Sequence, residues 1–165
     1  MPTLIKDGRI AADSYTRVTA IDGALTLPAG DILVSLDTLL AHRDQVLAHA
    51  GRKGVQLKPD QFAETIADIV TQLDLVAVEF PAFADGRGYS TAYLLRQRYG
   101  YTGELRAVGD IFKDTLFYQK RVGFDAFAIR DDKNAEIALK GLEDFTEVYH
   151  ASADQPSPLF RRRSV

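Results

Sequence analysis

Leu75-Val76-Ala77-Val78-Glu79-Phe80 runs on through Pro81-Ala82-Phe83-Ala84 into Asp85-Gly86-Arg87-Gly88-Tyr89-Ser90. An apolar run of strand length passes through a glycine-bracketed loop into a segment whose Tyr89, Ala92, Tyr93 and Tyr99 make a helical stripe, with Gly100 placed to close it. A second apolar run, Leu105-Arg106-Ala107-Val108, follows directly. Strand, helix and strand in this order imply a right-handed crossover between parallel strands.

The same rhythm extends to both sides. Ile32-Leu33-Val34 and Val55-Gln56-Leu57 precede the central unit, and Ala126-Phe127-Ala128-Ile129 follows it. Amphipathic stretches lie between the runs. Leu36, Leu39, Leu40, Val46, Leu47 and Ala50 form one stripe, and Phe62, Ile66, Ile69, Val70 and Leu73 form another. Phe112, Leu116 and Lys120 to Gly123 give a further helix, and a last one spans Asn134 to Val148. Asp37, Asp60 and Asp110 stand where N-caps are wanted. About five consecutive βα units therefore predict an α/β domain with a mainly parallel sheet, either doubly wound or an incomplete barrel with strands in chain order. Units this short, with no sign of an order reversal, favour the barrel-like arrangement.

Before these units the chain reads differently. Asp7-Gly8 and Asp22-Gly23 sit among short β-prone stretches and supply the positive φ of hairpin turns, so residues 1–30 read as a small antiparallel lead-in ending at Pro28-Ala29-Gly30. Residues 1–150 are read as one domain. Residues 151–165, with Pro156, Pro158 and the basic run Arg161-Arg162-Arg163, are read as an extended C-terminal tail, either simply solvated or a docking arm for an acidic partner.

Composition narrows the function classes. Without cysteine there is no disulfide, thiolate metal site or thiol catalysis. Acidic and basic residues, 23 against 20, are intermixed, which predicts no general affinity for nucleic acid. No apolar run has the length of a membrane span, and Met1-Pro2-Thr3-Leu4-Ile5-Lys6 lacks the apolar core of a secretory signal, so a cytoplasmic protein is expected. His42, His49 and His150 fall on or near helices without a third ligand, and no metal site is expected. Phe80, Phe83, Phe112 and Phe117 read as core.

In either architecture ligands bind beyond the carboxyl ends of the strands. That rule places Asp37, Lys58, Glu79, Asp85, Arg87, Asp110 and Arg130 on one rim. Asp85 to Ser90 is its most informative part. Backbone N–H groups at the start of a helix hold anions, Arg87 can add a fork and Ser90 a hydroxyl; a plain turn capped by Asp85 is the other reading. Gly86 and Gly88 also imitate part of a dinucleotide fingerprint, but the third glycine is missing. Glu79 and Arg106, on neighbouring predicted strands, either pair with each other or leave Glu79 desolvated as a general acid; Glu79 and Asp110 are the candidate catalytic carboxylates.

The string from Val78 to Ser90, followed by Leu94-Leu95-Arg96, Tyr101-Thr102-Gly103-Glu104 through Asp110, and Val122-Gly123-Phe124-Asp125-Ala126-Phe127, resembles a bacterial domain-of-unknown-function family. The resemblance implies a gene neighbour encoding sulfite reductase and an oxidoreductase label for sulfite reduction, with no catalytic residues assigned. Two functions follow as expectations. One is an accessory protein of assimilatory sulfite reduction that binds an anion or small metabolite at Asp85 to Ser90, with Lys58, Asp110 and Arg130 beside it, and docks on sulfite reductase. The other is an oxidoreductase using a loosely held nicotinamide or flavin nucleotide.

Overall fold

The computed structural model describes residues 2–163. Each of the five apolar runs forms a strand: β4 (Asp31–Ser35), β5 (Lys53–Leu57), β6 (Leu75–Phe80), β7 (Glu104–Gly109) and β8 (Ala126–Ile129). Three more precede them: β1 (Thr3–Lys6), β2 (Arg9–Ala11) and β3 (Tyr15–Val18). All eight belong to one sheet in the order β2-β1-β8-β7-β6-β5-β4-β3. From β3 to β8 the strands are parallel and lie in chain order, while β1 is antiparallel to both β8 and β2. The order never reverses, which removes the doubly wound alternative.

The sheet is curled. β3 and β7 are four strands apart, roughly 19 Å in a flat sheet at about 4.8 Å per strand. Yet the Arg106 guanidinium of β7 lies 5.4 Å from the ring centroid of Tyr15 in β3. The two end strands, β2 and β3, are joined by residues 12–14 alone. The result is an incomplete barrel.

Alternation along the strands separates two faces. Ile32, Val34, Val55, Leu57, Val76, Val78, Leu105, Ala107, Phe127 and Ile129 face outward and join the helices in the main core. Leu33, Leu75, Ala77 and Val108 face inward, with Tyr15 and Ala128 against them. The inward face also carries charge at the amino ends of the strands. Glu104 accepts from Lys6 of β1 at 2.7 Å and from Arg106 at 2.6 Å, and Arg106 reaches Asp13 in the 12–14 link at 2.8 Å. Beside it Asp31 holds Arg52 at 2.5 Å and Ser14 at 2.8 Å. Burial pushes the Tyr15 hydroxyl up to about 12, with Arg52 opposing the shift.

The helices depart from the sequence reading in several places. The first stripe splits at His42 into α1 (Leu36–Ala41) and α2 (Arg43–Leu47). The stripe from Phe62 to Leu73 forms two 3-10 turns, 63–66 and 70–72, in place of an α-helix, and Phe62 is exposed. Thr65, Ile66, Ile69, Val70 and Thr71 are β-branched and lower the helical preference of that segment. α3 (Arg87–Gln97) and α4 (Lys113–Val122) follow the reading; α4 ends at Gly123 with φ 117°. The last helix stops early, as α5 (Ala135–Lys140) with one 3-10 turn to Glu143. Gly141 lies so close to α4 that a Cβ there would come within 2.6 Å of the Lys113 carbonyl oxygen.

None of the three aspartates is an N-cap. Ser35 caps α1, while Phe62 and Phe112 hold the cap positions after Asp60 and Asp110. Asp7-Gly8 makes the predicted hairpin between β1 and β2, with φ of 49° and 72°. Asp22-Gly23 turns likewise but leads only to a single bridge, Ile21 to Ala24. The C-terminal segment is folded back. Asp154 pairs with Arg121 of α4, Leu159 N–H donates to the Tyr149 carbonyl at 3.0 Å, and α6 (Leu159–Arg162) is anchored by Arg162 on Glu147 at 3.2 Å. The predicted residues 164 and 165 of the tail lie outside the described residues. No helix among the described residues is long and apolar enough to cross a membrane.

Candidate functional site

Because β4 to β8 are parallel, their carboxyl ends share one rim, and the sequence-predicted residues divide there into three groups. After β5, the Lys58 ammonium lies 3.6 Å from Asp37, which also accepts from the Gln61 amide at 3.1 Å. After β7 and β8, Asp110 accepts from Arg130 at 2.6 Å and from the Phe83 backbone N–H at 2.8 Å. Arg130 also donates to Asp132, and both carboxylates hold its proton more firmly. Phe83 is exposed and packs against Phe112 with centroids 5.7 Å apart, so this part of the phenylalanine patch is surface; Phe80 alone of the four is fully buried.

Between these groups lies the loop 85–90. Asp85 accepts from Arg87 Nη2 at 2.6 Å, from Nε at 3.0 Å and from the Arg87 backbone N–H at 3.2 Å. These bonds hold the Asp85 carboxyl below the usual carboxylate range. The fork expected to meet a ligand is closed on a carboxylate of the loop itself. Gly86 takes the N-cap position of α3 with no side-chain cap, and the first turn contains no acid. Ser90 is exposed.

Neither Gly86 nor Gly88 adopts left-handed backbone. Gly88 is required for a different reason: a Cβ there would meet the Phe80 ring at 2.7 Å. Tyr89 then folds edge-on to Phe80 at 5.1 Å and packs on Tyr118 at 5.0 Å. Burial raises the Tyr89 hydroxyl.

Glu79 does not pair with Arg106, whose partners are Glu104 and Asp13. Near the carboxyl end of the curled sheet it instead accepts from the Gln56 amide at 3.0 Å, and the Gln56 carbonyl accepts from Arg17 of β3 at 2.5 Å. This Arg17–Gln56–Glu79 chain crosses four strands. Gln56 could have been found from its place inside an otherwise apolar run. Arg17 had no such signal, since Tyr15 to Val18 does not read as a strand.

Three hollows open elsewhere. One of about 510 Å³ lies at the opposite end of the sheet, floored by Phe124, Phe127 and Leu142 and edged by Asp7, Lys120 and Lys140. Asp125 on its wall accepts from Arg96 at 2.7 Å and from the Leu105 N–H at 2.9 Å, while burial raises its carboxyl. Hollows of about 410 and 320 Å³ also touch Lys120. None of these three hollows is lined by a residue of the charged rim.

No curated protein and no solved structure matches the chain. A family model does, over residues 54–160, a span that starts in β5, takes in the rim loop and runs to Phe160 in α6. The chain belongs to DUF934, a family of bacterial proteins of unknown function.

Proposed function

We propose that the chain is an accessory binding protein of assimilatory sulfite reduction, holding a small anion or anionic metabolite at Asp85 to Ser90 and docking on sulfite reductase. One observation carries the anion site. The 11-residue α3 begins at the carboxyl end of the sheet with no acid in its first turn and Arg87 exposed above it, and the Asp85 carboxylate before it already holds the Arg87 N–H and guanidinium as a bound anion would. Lys58 follows β5 and Arg130 follows β8 on the same rim, paired there with Asp37 and Asp110, and are the further cations a larger anion would recruit. The role in sulfite reduction is supported by the sequence resemblance.

The geometry adds a specific condition. An incoming anion must take Arg87 from Asp85. Sulfate is expected to raise Tm beyond a chloride control of equal ionic strength, and Arg87→Ala abolishes the extra rise. Sulfate also stabilises proteins by exclusion, so the difference between variants is the quantity that counts. Asp85→Asn removes the internal competitor and should enlarge the extra rise. Equal sulfate effects in wild type, Arg87→Ala and Asp85→Asn would leave Asp85 to Ser90 as a turn. Docking is tested separately, by co-purification of the full chain with sulfite reductase.

A further inference from the structure

We infer that the surface built by residues 145–163 on the outer side of α4 is a docking site for an acidic protein segment that carries an apolar anchor. This surface lies away from Asp85 to Ser90, and the inference does not rest on the anion site.

The anchor's seat is the hollow of about 320 Å³, whose apolar part is Phe117, Leu142 and Phe145 and whose edge carries Lys120 and Arg162. Phe117 and Phe145 meet edge to face at 4.9 Å, giving the hollow a rigid aromatic wall. Three rings of this segment leave most of their area in water: Phe145 is 65% exposed, Tyr149 61% and Phe160 60%. Phe145 lines the hollow together with Arg162, and the bond from the Leu159 N–H to the Tyr149 carbonyl ties together the two stretches that carry Tyr149 and Phe160. An exposed ring over a hollow is the composition of interface centres.

Charge selects the partner. Arg162 is held inward by Glu147 and by the Val148 carbonyl at 2.8 Å. That leaves Arg161 and Arg163 on the exposed side of α6, with Arg161 stacked 5.7 Å over the Phe160 ring. Among the residues that line the hollow, Glu147 and Asp154 are the acids, each already paired with an arginine, on a chain whose net charge is −3. Guanidinium groups pair carboxylates through two parallel hydrogen bonds, and an aromatic face beside them favours a peptide side chain. α6, with four residues, is too short to lay an apolar face into a membrane.

The test is selection of peptides from a random display library on the purified full chain. The expected motif is a cluster of Asp or Glu around one Phe, Leu or Trp. A synthetic peptide of that motif should bind about tenfold more weakly to the double variant Arg161→Glu, Arg163→Glu, and its affinity should fall with salt. Phe145→Ser should weaken it as well, and Arg43→Glu on α2, which lines none of the hollows around α4, should not. Arg162 is left intact because it anchors α6, and an unchanged Tm shows that the double variant is folded. Selection of no motif, selection of one without acids, or equal binding by the double variant overturns the inference. So does tighter, arginine-dependent binding to phosphatidylserine vesicles or to short single-stranded DNA.

Discussion

Gly88, which in the sequence reads as one of two glycines around a ligand loop, is required for packing. A glycine between a loop and a helix suggests positive φ, but here it permits α3 to approach the Phe80 ring. Gly88→Ala should therefore lower stability in urea by about 1–3 kcal/mol, the usual cost of overpacking, whether or not an anion is present. Arg87→Ala in chloride should change stability little, since its partner pair is exposed. Asp31 gives a pH signature. Hydrogen bonds from Arg52 and Ser14 lower its pKa from 3.8 to about 2. A carboxylate lowered on folding stabilises above its unfolded pKa, and that contribution fades as pH falls from near 4 towards 2. In Tm measured against pH, Asp31→Asn should flatten this part of the acid limb.

At the level of elements, legibility followed the strength of the periodic signal. Runs such as Leu75 to Phe80 and Leu105 to Val108 fill both faces of a buried strand and could hardly be anything else. Tyr15 to Val18 was illegible because β3 lies at the sheet edge with Thr16 and Arg17 exposed. The helices failed where local preference met tertiary spacing, as at Gly141 against α4 and across the β-branched 65–71 segment. Caps failed for a related reason. Asp110 looks like a cap but serves Phe83 and Arg130, while Thr115 closes the start of α4, its hydroxyl donating to the Phe112 carbonyl at 2.8 Å and accepting from the Phe112 N–H at 3.4 Å. Thr115 is buried, and Thr115→Ala should cost about 1 kcal/mol by denaturant unfolding.

Across the whole molecule, the chain-order sheet and its barrel-like curl were legible, but the contacts that fasten it were not, since Lys6–Glu104 and Arg106–Asp13 join residues 98 and 93 positions apart. Arg106 is 3% exposed and faces Glu104 at 5%. Arg106→Met leaves that carboxylate with Lys6 as its main partner and should cost roughly 3 kcal/mol, the low end for breaking a buried ion pair. Glu104→Gln added to Arg106→Met should recover part of the loss, which a double-mutant cycle measures. The C-terminal segment was read as extended because two prolines discourage regular structure, yet ion pairs and α6 fasten it to α4. Deleting residues 155–165 removes the Arg162 anchor and the Leu159 to Tyr149 bond. The expected loss is roughly 2 kcal/mol, or about 4–8 °C in Tm for a domain of this size.

The pairing of β1 with β8 sets an order of events during synthesis. Lys6 must find Ala126, about 120 residues later in the chain, and at roughly 5–20 residues per second that partner emerges some 6–24 s after the hairpin has left the ribosome. A lone two-stranded hairpin is marginal in water. The parallel strands can meanwhile add one by one as they appear, each beside its predecessor. The first strand made is thus the last seated, and Ile5, fully enclosed in the finished molecule, spends that interval in the open where a holding chaperone can reach it.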